Sequence, residues 1–221
     1  MAIRWPIHVL AARDVAFDIA SRSIAAPASV SGVTQVAASD AGIWKATLGG
    51  IVVHNRDHVL VFRAIANLLE GRLSPIIVPF CRGYQPVPDN ADYSAVPHSD
   101  GSHHSDGTGY VGSVIDVELA ASAAARAVSA TVDVVQAGDL HPGQHFSIGD
   151  RLYRLRSVAF SSETRAAITF RPPLRSAAPL GTKLNFDDPV CRMRLASDGE
   201  MDLELGLRRF GNPTVNFIED L

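Results

Sequence analysis

Cysteine and aromatic residues are scarce in this chain, and positive charge is not in excess. Each shortage removes a class of function. With 20 Lys and Arg against 23 Asp and Glu, the formal net charge is −3. A protein whose main task is gripping phosphate backbones is therefore excluded, and any contact with nucleic acid is local or repulsive. The two cysteines, Cys81 and Cys191, lie far apart without CxxC spacing. Neither a zinc cage nor a redox dithiol can be read from them, and both are expected as buried thiols. No stretch approaches the roughly 18 consecutive apolar residues of a membrane-spanning helix. The first ten residues, Met1 to Leu10, lack the basic start and apolar run of a secretory signal, so synthesis and folding in a cytoplasm are expected.

What is present suffices for a folded domain. The 221 residues are 47% hydrophobic, 19% charged and 7% aromatic, with 17 Gly and 13 Pro, a globular composition that is neither collagen-like nor disordered. At this length roughly 70% of the unfolded surface can leave water, so no metal or disulfide staple is required. Two compact domains or one elaborated β domain fit the length. The chain is read as one β domain over 1–221, divisible into 1–80 (strands plus a helix), 81–112 (an extended arm) and 113–221 (a C-terminal β region).

Most of the chain alternates with period 2 in short Val, Ile, Leu and Phe runs separated by Gly, Pro, Asp and Ser, which predicts a mainly β fold. Early strands are expected over Arg4 to Leu10, Val15 to Ala20, Ser29 to Val36 and Ile43 onward, with a bend at Gly49-Gly50. Asp57 to Glu70 departs from this: Val61, Ile65, Leu68 and Leu69 recur at helical spacing. Asn55 or Asp57 is the candidate N-cap and Gly71 the candidate C-cap. Pro75 to Phe80 reads as a buried strand. In the C-terminal half, strands are expected at Val111 to Glu118, Ala127 to Val135, Gln144 to Ile148, Leu152 to Phe160, Ala166 to Arg171, Lys183 to Phe186, Val190 to Ala196, Met201 to Leu207 and Thr214 to Ile218.

Between Cys81 and Gly112 apolar periodicity disappears. Such a long structureless stretch in a compact domain signals function or an arm reaching a neighbour. Its His98, Asp100, His103, His104 and Asp106 are metal-ligand types. However, His103 and His104 are adjacent and point apart in extended chain, and the two Ser-Asp-Gly units match no calcium-loop register. The favoured reading is a polar loop with Asp-Gly turns, and no metal or other cofactor is expected. No serine sits in a G-x-S-x-G elbow, and neither cysteine has a local catalytic signature. Asp187-Asp188 before Pro189 reads as a turn. No catalytic residues are assigned, and an enzyme is not expected.

Four segments then carry a resemblance: Val135 to Asp139, Phe146-Ser-Ile-Gly-Asp-Arg-Leu-Tyr-Arg154, Ile168-Thr-Phe-Arg-Pro-Pro-Leu-Arg175, and Asp188-Pro-Val-Cys-Arg-Met-Arg-Leu195. Together with the Pro97 to Gly107 loop and the Trp44 strand plus helix ending at Arg72, they resemble the distal tail, or minor tail, proteins at the tail tip of long-tailed siphophages. The resemblance runs from about Gly42 to Leu221. It implies a tail-tube-like β-sandwich with one flanking α-helix, assembled as a ring, a hexamer, between the tail tube protein and the baseplate hub protein. DNA is then a partner only in transit through the channel, whose wall is expected to be acidic or neutral, and no membrane insertion is implied. The implied location is the virion tail tip. Two alternatives stay open: a metal-dependent hydrolase built on His98 to Asp106, and a carbohydrate-binding β-sandwich on the virion surface.

Two expectations concern particular side chains. The arm, including Tyr93, His98, Asp100, His103, His104, Asp106 and Tyr110, is expected to pack against an adjacent subunit, because a polar loop cannot offset its ordering entropy with a core of its own. Arg192 to Ala196 and Glu200 to Glu204 are expected to form a hairpin closed by Ser197-Asp198-Gly199. That register sets Arg194 opposite Asp202 and Arg192 opposite Glu204, with Glu200 on the same charged strand, and points Met193 and Leu203 to the core.

Overall fold

The period-2 patterning is realised as two sheets. The structure, a computed structural model, describes residues 3–25, 27, 31–32, 34–80, 83–89, 97–110, 112–207 and 210–221. Eleven strands and one helix are formed among them: β1 (Ile3–Arg4), β2 (Asp14–Ala25), β3 (Val36–Gly49), α1 (Arg56–Leu69), β4 (Ile76–Pro79), β5 (Asp116–Leu119), β6 (Ser129–Gln136), β7 (His145–Ile148), β8 (Arg151–Phe160), β9 (Arg165–Arg171), β10 (Val190–Leu195) and β11 (Val215–Glu219). The fold is mainly β with one helix. None of the described helices is long and apolar enough to cross a membrane.

The chain divides into two compact units: residues 1–81, 150–152 and 190–221 make the first, and 82–149 with 153–189 the second. The first holds a six-stranded sheet in the order β1-β4-β10-β11-β3-β2. Its core gathers Trp5, Trp44, Phe62, Ile76, Met193 and Phe217. Two indole N–H groups would be costly to bury unpaired. Trp5 Nε1 donates to Leu10 O at 3.2 Å and Trp44 Nε1 to Leu152 O at 2.7 Å. Helix α1 buries Phe62, Ile65 and Leu69, one per turn, into the same core. Asn55 is its N-cap, accepting from His58 N at 2.8 Å. At the other end Glu70, not Gly71, is the C-cap, in the left-handed region at φ 49°, and Gly71 follows at φ 65°. An added Cβ at Gly71 would stand 2.9 Å from Asp198 Oδ1, and the cap falls one residue before the glycine predicted to form it.

The second unit holds a five-stranded sheet, β5-β6-β9-β8-β7. Phe146, Tyr153, Phe170 and Phe186 form its aromatic centre, with Phe146 within 5.7 Å of each of the other three rings. The Tyr153 hydroxyl accepts from Arg175 N at 3.1 Å, so the phenol's polar end is satisfied. Gly149, at φ 60°, turns β7 into β8 as the Gly149-Asp150 pair predicts.

Several strand expectations need correction. Arg4 to Leu10 is strand only at its first residue, since Val9 N and Leu10 N both donate to Pro6 O and curl the chain. Lys183 to Phe186 contributes only single bridges, Glu118 with Lys183 and Ser147 with Asn185. The predicted hairpin of Arg192 to Ala196 with Glu200 to Glu204 does not form. β10 is paired on one side with β4 and on the other with β11, with Arg192 opposite Ile77 and Arg194 opposite Ile218. Both edges of β10 are thus taken by segments distant in sequence. Residues 201–205 nonetheless keep their alternation: Met201 is buried and Leu203 and Leu205 pack on the core, while Asp202 and Glu204 face out. Met193 is fully buried, on the predicted core side.

Candidate functional site

Three groups of side chains were singled out by sequence, and the structure treats them differently. In the arm, residues 98–102 and 104–108 fold into two copies of one turn. His98 N donates to Ser102 O and Gly101 N to His98 O, at 2.8 and 2.9 Å; His104 N donates to Thr108 O and Gly107 N to His104 O, at 2.7 and 2.8 Å. The glycines sit at φ 80° and 82°, which a side chain would resist. Asp100 Oδ1 accepts from Ser102 N and Oγ at 3.0 and 2.6 Å, and Asp106 Oδ1 from Thr108 N and Oγ1 at 3.0 and 2.7 Å. Hydrogen bonds from those hydroxyls hold both carboxyls below the usual carboxylate range. The aspartates are thereby committed to turn formation.

Repetition of the turn stacks equivalent residues. The rings of His98 and His104 meet edge to face at 4.7 Å, and both contact Tyr110, at 4.9 and 5.3 Å. Of the five metal-ligand candidates, the structure therefore brings together His98 and His104, while Asp100 and Asp106 serve their own turns. His103 stays exposed. Among the described residues no group of three or more His, Cys, Asp or Glu could hold a metal ion. Tyr93 lies outside the described residues, as does Cys81. The signal that finds the cluster is the six-residue repeat His-Ser-Asp-Gly-Ser-His, His-Ser-Asp-Gly-Thr-Gly, which ligand-spacing tests pass over. What this arrangement presents is a small aromatic and polar knob.

The basic half of the predicted charged hairpin finds a different acid. Asp220, its side chain 8% exposed, accepts from Arg192 Nε at 2.7 Å and Arg194 Nε at 2.5 Å. Arg151 donates to the Asp220 carbonyl, and Arg192 Nη1 lies 3.4 Å from Asp150. Arg194 Nη1 also donates to the carbonyls of Arg72 and Leu73 at 3.1 and 2.5 Å. Burial pushes the Asp220 carboxyl up, but the guanidinium groups of Arg194 and Arg192 outweigh it and hold the group below the usual carboxylate range. This cluster ties the last strand to β10 and to the helix-to-β4 connection; its chemistry is structural.

The acidic half stands apart from it. Glu200 Oε2 accepts from Asn216 N and Nδ2, both at 2.9 Å. Asp202 and Glu204 are exposed and line a groove of about 650 Å³ with Glu200, Phe210 and Thr214. In the second unit, Asp187 accepts from Ser113 Oγ and from Ile115 N at 3.3 Å, while Asp188 N donates to Asn185 Oδ1 at 3.0 Å. The Asp187-Asp188 pair is thus a loop-holding turn. No protein-family model matches the chain, and no curated protein matches it.

Proposed function

We propose that this protein is a structural subunit of a phage tail tip that assembles into a ring, a hexamer, joining the tail tube to the baseplate hub around the DNA channel. The observation that carries the reading is the outer part of the β2–β3 hairpin. β11 pairs with β3 only from Lys45 to Leu48, whereas β2 and β3 stay paired with each other out to Ala25 and Val36. Ser21, Ser23, Ala25, Val36 and Ala37 on this ribbon are all exposed. Among the described residues no third strand pairs with this outer part; a two-stranded ribbon is marginal in water, and open strand edges are templates for pairing with another chain. A ring supplies each ribbon with a neighbour. The polar arm at residues 97–110, exposed along most of its length, has the same need.

The reading gives the protein no chemistry of its own; it acts by assembly, and its DNA-facing wall is acidic or neutral so that the duplex slides without salt-dependent retention. Negative-stain imaging of the purified protein tests it, with closed rings as the expected result. Replacing residues 21–41 by a short turn should leave a folded subunit that no longer closes rings. A protein that stays monomeric at every concentration would overturn the reading.

A further inference from the structure

We infer that His98 and His104 in the arm form a binding site for one divalent transition-metal ion suited to imidazole, zinc or copper(II). The two residues hold equivalent places in the two repeated turns. His98 N donates to Ser102 O while its carbonyl accepts from Gly101 N, and His104 N donates to Thr108 O while its carbonyl accepts from Gly107 N, so both backbones are fixed. Their rings lie 4.7 Å apart, and Tyr110 packs against both. An imidazole nitrogen stands about 2.0 to 2.1 Å from a bound zinc ion, which puts the centres of two neighbouring ligand rings about 5 Å apart. The observed spacing suits this. Although the rings meet edge to face, the Cβ–Cγ torsion of histidine is broad, and rotation about that bond swings the nitrogens while leaving the ring centre in place. Neither ring has a hydrogen-bond partner among the described residues, so no hydrogen bond breaks when their nitrogens turn toward a shared ion.

Charge selects this pair over another. His54 and His58 also meet edge to face, at 4.5 Å. There, however, His54 lines a cavity with Arg56 and Arg63, and both rings sit at the positive N-terminal end of α1. His58 Nδ1 is already committed to the Val52 carbonyl at 2.9 Å. Such surroundings repel a divalent cation. In the arm the sign is reversed. No Lys or Arg occurs between Arg82 and Arg126, and Asp100 and Asp106, one in each turn, are held in the ionised form by their hydroxyl partners. These carboxylates stay with their turns and act on the ion through charge alone. Imidazole suits zinc and copper(II), and copper(II) binds such ligands more tightly. Calcium and magnesium, which take oxygen ligands, do not fit. Two protein ligands leave the ion's other positions open to water, unlike the four-ligand cages of structural zinc sites. The site is complete within one chain and does not depend on ring assembly; a bound ion fastens the two turns of the arm to each other.

Isothermal titration of the purified chain with Zn²⁺ alone and with Cu²⁺ alone tests this. One ion per chain is expected in the tightest step, with Ca²⁺ and Mg²⁺ giving no binding. His98→Ala and His104→Ala should each weaken that step by more than about tenfold, no less than the loss of an outer-shell partner costs. His54→Ala and His103→Ala should leave it unchanged. The arm belongs to neither hydrophobic core, so these arm variants should melt with the parent chain in circular dichroism. Bound Zn²⁺ should also shield His98 and His104 from diethyl pyrocarbonate, read residue by residue by mass spectrometry. No binding of either ion, binding that survives both His98→Ala and His104→Ala, or binding lost with His54→Ala or His103→Ala would overturn the site.

Discussion

Both units bury an apolar core, and they differ in where charge is placed beside it. In the first, the strand ends are fastened by charge: Asp220 is held between Arg192 and Arg194, with Arg151 on its carbonyl. In the second, the centre is the Phe146, Tyr153, Phe170 and Phe186 group, and charge pairs such as Asp133 with Arg165 lie on the outside. Apolar burial is non-directional and has no charge to titrate, whereas a buried ion pair is worth keeping only while both members are present. The first unit should therefore be sensitive to loss of one charge as well as of volume, and the second to loss of volume alone.

Loss of volume is the larger effect. Phe146→Ala removes the ring shared by the other three and should cost about 3 to 5 kcal/mol, by transfer and cavity terms together. Chemical denaturation checks this, and a cost near 1 kcal/mol would mean that the aromatic group is not the second unit's centre. In the first unit, Asp220→Asn keeps the shape but leaves two guanidiniums facing a neutral amide. Breaking a fully buried pair costs about 3 to 5 kcal/mol. Both arginines are partly solvated, so about 2 kcal/mol is expected, and Arg192→Met with Asp220→Asn should cost less than the two single changes summed.

Acid sharpens the comparison. Burial, helped by the Arg154 charge, pushes His145 in the second unit down to about 4. The unfolded chain then binds more protons than the folded one between pH 6.5 and 4, so stability falls as pH falls through that window, by about 1.4 kcal/mol at pH 5.5. Asp220 carries the same sign by the opposite route: its folded carboxyl titrates below the unfolded one, so its contribution is lost only as pH drops through the carboxylate range. Denaturation at pH 7 and pH 5.5 should show the His145 loss, absent in His145→Phe. An unchanged difference in that variant would assign the acid sensitivity elsewhere.

These features were legible to different degrees. Mainly β structure, the helix and its Asn55 cap are written locally, in alternation and in a polar residue placed before an amphipathic run, and the structure has them. The partners of β10 are not local. Arg192 and Arg194 had acids nearby at 202 and 204, but closing a longer loop to Asp220 costs only about 1 kcal/mol more. Burial of Met201, with Glu200 accepting from Asn216, decides against the short hairpin. Alternation at 201–205 reported the buried side correctly while saying nothing about pairing. In the arm, ligand spacing carries no signal, whereas the six-residue repeat is local and is what sets His98 against His104.

The smallest expected effect is the most discriminating. Asp133 and Arg165 form a two-pronged pair at 2.7 and 3.0 Å across β6 and β9. Hydrogen bonding from Arg165 holds the Asp133 carboxyl below the usual range. By geometry this pair is as good as the one at Asp220; it differs in standing at the surface, where water competes for both partners and ions screen them. If geometry set the value of a charge pair, Asp133→Asn would destabilise as much as Asp220→Asn. If burial sets it, Asp133→Asn should melt with the parent chain, and raising the salt to 1 M should change nothing further. The Asp220 variant should stay clearly less stable under both conditions, since a half-buried pair is screened much less. Equal losses in the two variants would mean that the units do not differ in where charge matters, and that the contrast between a charge-fastened sheet and an aromatic-centred one is wrong.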